Sequence, residues 1–189
     1  MIVNTATEAI ALSSSLQLVP ILKEQQEEIY SLMRRVYPAA YARFWKDGGD
    51  KYIKQLYQSD NLQQEMDDPS SLFYTIQYEG KIVGILRLLQ HHSTTGTYGE
   101  QSTKLQRIYV APEMQGKGIG KQLIQWCMDQ FLQLPGDQIW LEAMCAQTSA
   151  VGFYQKMGFE VVDTVEFSEE LVYPHLRSMY IMQKTYDSE

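Results

Sequence analysis

Glycines occupy every second position at 116, 118 and 120, with Gln115 ahead of them, Lys117 between the first two and Lys121 directly after the third. Glycine has no Cβ, so such a stretch can approach a bulky anion closely and adopt positive φ. A helix starting here would aim its unpaired N–H groups and the positive end of its dipole at that anion. The chemistry suited to this turn is the holding of a diphosphate by main-chain donors, with the lysines adding charge. Two other phosphate loops are excluded. A P-loop has Ser or Thr directly after Gly-Lys, but Gly118 follows Lys117. The dinucleotide fingerprint has its last glycine three residues after the second, where Lys121 stands. A merely flexible turn ahead of an ordinary helix also fits the three glycines taken alone.

The elements around the turn follow from periodicity. Segment 104–110 reads as a strand ended by Ala111-Pro112, and 119–132 as a helix with Ile119, Leu123, Ile124, Cys127 and Phe131 on one face. Segment 139–144 reads as a buried strand and 149–157 as a short helix with Gly158 as a left-handed cap. Upstream, 16–22 predicts a strand with Pro20 at its edge or end, and 24–36 a helix stopped by Pro38. A second helical segment carries Tyr52, Ile53, Leu56 and Tyr57. Strands at 72–78 and 81–89 flank a Glu79-Gly80 hairpin turn. Residues 91–99 read as a polar loop, and 159–167 with 179–185 as a closing hairpin-like pair. The order is β-α-α-β-β-β-α-β-α-β-β, with one βαβ crossover from 104–110 to 139–144 and an otherwise antiparallel sheet.

On these residues a resemblance is plain. The run Ile108 to Leu123 resembles the acyl-CoA signature of the GNAT superfamily of N-acetyltransferases, Gln/Arg-x-x-Gly-x-Gly/Ala, met here by Gln115, Gly118 and Gly120. The run Leu141 to Phe159 resembles the family's second segment, which ends Phe-Tyr-x-Lys-x-Gly-Phe; Phe153, Tyr154, Lys156, Gly158 and Phe159 match it. This chain has Gln147 where the family often has Asn. The resemblance runs over about 16–185 and is strongest over 104–160. The last residues from Ser178 look closest to bacterial branches that include polyamine acetyltransferases; protein N-terminal and antibiotic-acetylating branches share the same core motifs.

The resemblance implies an α/β (α+β) fold: a mixed, mostly antiparallel sheet of six to seven strands with a central βαβ crossover and flanking helices. It implies one acetyltransferase domain over 16–189 behind a poorly structured lead-in at 1–15. The two parallel strands would splay, and the pantetheine arm of acetyl-CoA would enter the gap like an added strand, pairing with Ile108, Tyr109 and Val110. Gln115, Gly116, Lys117, Gly118, Ile119, Gly120 and Lys121 would hold the diphosphate. Gln147, Tyr154 and Lys156 would complete the coenzyme site. Acetyl transfer to an amine needs a base for the ammonium, polarisation of the carbonyl and a proton for the departing thiolate. Tyr154 is the implied acid and Glu142, on the strand beside the gap, the candidate base; the Ile108 N–H could hold the thioester oxygen. Tyr154 packed in the core and Glu142 bracing a loop or the outer sheet face are the bland alternatives. The acceptor would be a small amine, a polyamine or a peptide N-terminus, attacking directly in a ternary complex. A non-catalytic CoA-binding regulatory module with the same fold is the competing reading, and a purely structural interaction protein a third.

Composition bounds the rest. The chain has 189 residues, 44% hydrophobic and 21% charged, which suits one globular domain. Net charge is -7, which speaks against a nucleic-acid surface and is compatible with a cationic substrate or with solubility alone. No apolar run is long enough for a bilayer, and the start lacks a basic signal, so a cytoplasmic protein without membrane partners is expected, monomer or homodimer. Two cysteines, Cys127 and Cys145, make no disulfide framework; they read as buried structural thiols rather than nucleophiles. No His, Cys and carboxylate spacing suggests a metal site. Tyr37, Tyr41, Phe44, Trp45, Tyr52 and Tyr57 could wall an acceptor cleft or fill the core. Glu65, Asp67 and Asp68 could attract a polyamine or form a solvated face.

Overall fold

A computed structural model describes residues 8–94 and 98–186. In chain order the elements are β1 (Ile10–Ala11), β2 (Leu16–Pro20), α1 (Gln26–Tyr41), α2 (Asp50–Tyr57), α3 (Ser59–Asp67), β3 (Ser71–Tyr78), β4 (Lys81–His92), β5 (Tyr98–Val110), α4 (Ile119–Phe131), β6 (Gln138–Met144), α5 (Thr148–Lys156), β7 (Glu160–Glu166) and β8 (Ser178–Thr185). The strands form one sheet of eight in the order β1-β2-β3-β4-β5-β6-β8-β7. Every neighbouring pair is antiparallel except β5 and β6.

The helices cover both faces. α4 and α5 bury Ile119, Leu123, Ile124, Cys127 and Val151 against one face, in a core shared with Leu105, Ile139 and Leu141. α1 and α2 bury Ile29, Met33, Val36 and Ile53 against the other, with Phe73, Ile85 and Met144. Alternation along β6 produces this division: Ile139, Leu141 and Ala143 face α4 and α5, while Met144 faces α1.

One irregularity shapes the sheet where it matters. On β4, Arg87 and Leu88 are consecutive, but they pair with Arg107 and Leu105 on β5. Gln106 is therefore an extra residue, a β-bulge, and it reverses the faces beyond it. Leu105 packs on the α4 side, whereas Arg107 points to the α1 and α3 side. The bulge sits where β5 and β6 part. They pair only over Ser102 to Lys104, while β5 continues beside β4 to Val110. From Leu105 onward the β6-facing edge of β5 has no strand partner.

The structure corrects several expectations. The sheet has eight strands rather than six or seven, because β1 adds a short edge strand to β2. Of the 1–15 segment, residues 1–7 lie outside the described residues. Pro38 does not stop α1, which runs to Tyr41, with Ala42 donating to the Pro38 carbonyl. Proline removes only its own donor, and at this half-exposed position the carbonyl it would have reached can be hydrated. β4 extends to His92 and β5 begins at Tyr98, so the polar loop is shorter than 91–99; residues 95–97 lie outside the described residues.

The helix α3 was not legible from the sequence, and its acidic cluster is not simply a solvated face. Glu65 is half-buried and turned inward, holding the buried Arg107 bidentately at 2.6 and 2.7 Å and Arg87 at 3.0 Å. A carboxylate shared between two buried guanidinium groups removes the cost of leaving them unpaired. It also anchors β5 immediately before Ile108. Asp67, by contrast, is exposed.

Candidate active site

The turn from Gln115 to Gly118 and the start of α4 leave main-chain donors open to an anion. Gly116 and Gly118 take φ of 79° and 74°, the left-handed region glycine favours. A Cβ at either would meet nothing within 4 Å, so both face open space. Gly118 caps α4, and the helix's first internal bond is donated by Gln122 to Gly118. The N–H groups of Ile119, Gly120 and Lys121 thus have no intrahelical acceptor and are available to an anion, which the helix dipole also favours. Gly120 has a different role: a Cβ there would touch the Phe153 ring at 3.4 Å, so its smallness lets α4 and α5 approach.

The turn opens into a cavity of about 640 Å³ that runs along the free end of β5. Ile108, Tyr109 and Val110 form one wall, Gln115, Gly116, Gly118, Ile119, Gly120 and Lys121 the end, and Gln147, Phe153 and Tyr154 the α5 side. Lys117 and Lys156 lie outside the lining; the Lys117 ammonium sits 4.9 Å from the Tyr78 ring centre. The last two turns of α1 supply Val36, Ala39, Ala40 and Tyr41; Ala39 and Ala40 lie beyond the helix end expected at Val36.

α5 presents Tyr154 to this cavity. Gly158, at φ 87°, closes the helix and turns the chain into β7. The Tyr154 ring packs on Phe153 at 5.3 Å and Phe159 at 5.8 Å. Burial pushes the phenol's pKa up, with Tyr41 and Cys127 adding to the rise, so it stays protonated at neutral pH. Gln147 is already engaged. Arg43 donates to its Oε1 at 2.7 Å and to the Ala146 carbonyl at 2.8 Å, tying the end of α1 to the start of α5.

Glu142 lies in a different compartment. It lines a second pocket, of about 150 Å³, together with Tyr41, Tyr52, Gln106, Tyr109 and Phe167. Its Oε2 accepts from Lys104 Nζ at 2.9 Å. The two cavities share Tyr41 and Tyr109, and they approach each other where β5 leaves β6. Of the aromatic residues of the first half, Phe44, Trp45 and Tyr37 are buried in the core, and they line this pocket together with the half-exposed Tyr41 and Tyr52.

Neither cysteine and none of the three histidines lines either cavity. Cys127 is buried under α4, and burial pushes its thiol's pKa up, which suits packing rather than nucleophilic attack. Among the described residues no group of three or more His, Cys, Asp or Glu side chains is placed to hold a metal. No described helix is long and apolar enough to cross a membrane.

Comparison with known proteins gives a consistent result. The model of the acetyltransferase (GNAT) family matches residues 27–159. The uncharacterised N-acetyltransferase YjgM of Escherichia coli is 29% identical over 104 residues, 55% of this chain and 60% of that protein. The spermidine N(1)-acetyltransferase of Vibrio cholerae is 29% identical over 125 residues, 64% of this chain and 68% of that protein. Among solved structures, the PaiA N-acetyltransferase of Thermoplasma acidophilum in complex with coenzyme A superposes with a TM-score of 0.67 at 20% identity, covering 91% of this chain and 99% of that one.

Proposed function

Because the chain belongs to the acetyltransferase (GNAT) family, we propose that it transfers an acetyl group from acetyl-CoA to a primary amine by direct attack in a ternary complex. The observation that carries this is the pair of cavities approaching each other at the split between β5 and β6, with an anion-holding turn and Tyr154 on one and Glu142 on the other. One compartment suits a coenzyme and the other an acceptor, and neither reactant need leave for the second to enter.

The residues present fit the coenzyme. The N–H groups of Ile119, Gly120 and Lys121 would hold its diphosphate, and the unpartnered β5 edge at Ile108 to Val110 would hold its arm. Acetyl-CoA supplies the activated acyl group as a thioester when bound. An N–H of the β5 edge, Ile108 foremost, polarises the acyl oxygen. Glu142, directly or through a water, takes the proton released by the attacking amine, exchanging its bond to Lys104 as it does so. Tyr154, kept protonated by burial, donates its proton to the departing sulfur and is restored from solvent. The amine proton and the phenol proton balance the acetylated product and the free thiol.

The class of acceptor includes small amines, polyamines and peptide N-termini. The test is thiol release from acetyl-CoA across an amine panel. Release that depends on an added amine supports transfer. Coenzyme binding without release would instead support the non-catalytic module.

A further inference from the structure

The acceptor side of the split is small and walled by aromatic rings. Its pocket is about 150 Å³, the size at which an apolar void holds one benzene-sized group. The wall is already assembled: Trp45 lies 4.7 Å from Tyr52, Tyr52 lies 6.1 Å from Phe167, and Trp45 Nε1 donates to Tyr37 Oη at 3.0 Å. Trp45 and Tyr37 line the pocket beside the half-exposed Tyr41, Tyr52 and Phe167 but are themselves buried in the core, so enlarging the pocket would disturb that core.

Charge in the pocket is equally limited. Among the described residues that line it, Glu142 is the one carboxylate, and its Oε2 is already bonded to Lys104. A single ammonium can use the Glu142 Oε1 and the neighbouring ring faces. A second cationic centre on the same molecule finds no counter-charge in the lining.

Resting on the acetyl-transfer reading, we propose that the preferred acceptor is a compact monoamine whose carbon portion is one small apolar or aromatic group, such as an arylalkylamine or a short branched alkylamine. The rings take the carbon portion and Glu142 takes the ammonium, leaving the nitrogen beside the shared wall of Tyr41 and Tyr109.

The test measures kcat/KM with acetyl-CoA for phenethylamine, isopentylamine, spermidine, an aminoglycoside and a short peptide, followed by thiol release. One of the two compact amines should exceed each of the other three by about 10-fold or more, the discrimination a shaped pocket gives for one mismatched group. Release led by spermidine, the aminoglycoside or the peptide overturns this inference and leaves acetyl transfer standing. Silence with every amine overturns both. In Tyr52→Ala, which opens the wall, the ratio of compact amine to spermidine should drop by roughly 10-fold; an unmoved ratio overturns the role given to the aromatic wall.

Discussion

Tyr154 and Glu142 line separate compartments, and the acid and base roles proposed for them follow that separation. The phenol faces the larger cavity and is kept protonated by burial; the carboxylate faces the smaller one and accepts from Lys104. Tyr154→Phe should lower kcat by about 10²- to 10⁴-fold, the range for a lost general acid. Its coenzyme Kd should stay within about two-fold, since the ring packing remains. Because burial holds the phenol above its ordinary pKa near 10, the wild-type rate should show no descending limb from this group below about pH 10. A pre-steady-state and pH-rate comparison of the two proteins checks all three statements. Tyr154 was legible in the sequence because its neighbours form a recurring pattern. Arg43 was not, since an exposed arginine after a helix carries no signal of the Gln147 it clasps.

At the scale of elements, the turn into α4 and the bulge in β5 do the positioning. Gly118→Val forces a branched side chain into φ 74°, a cost of about 1–2 kcal/mol, so the melting temperature should fall by a few degrees. Its new atoms project into the open space where the diphosphate would lie, and coenzyme affinity should weaken by at least about 10-fold. Thermal melts and calorimetry on the variant separate the two effects; undiminished affinity would remove the turn from the site. The turn could be read from glycine spacing because backbone conformation there is set by residue type. The bulge at Gln106 could not. Its side chain says nothing about register, which depends on how β5 pairs with β4. The same holds for α3, whose half-buried Glu65 acquires meaning only from the buried Arg87 and Arg107 on distant strands.

For the whole molecule, buried tyrosines tie stability to alkaline pH. Tyr37, Tyr57 and Tyr74 are almost wholly inaccessible, and burial raises all three pKa values, that of Tyr74 to about 12. In the unfolded chain these phenols ionise near pH 10 while the folded protein keeps their protons. Their contribution is therefore fully present below pH 10 and declines as pH rises through the folded values, by about 1.4 kcal/mol per unit for each phenol. Denaturant unfolding from pH 8 to 11 should show a flat region and then a fall above 10; a fall already complete at pH 9 would contradict it. The chain order of seven of the eight strands and the crossover were readable from hydrophobic period. The separation of β5 from β6, which turns that order into a site, is a tertiary outcome. The proposed function requires main-chain donors at the head of α4 to grip a diphosphate, and calorimetric titration of the protein with coenzyme A and with pantetheine, which lacks that group, tests this most directly. Coenzyme A should bind at least about 100-fold more tightly, as expected for several charge-assisted hydrogen bonds. Equal affinity for the two, or no heat with coenzyme A, would contradict it.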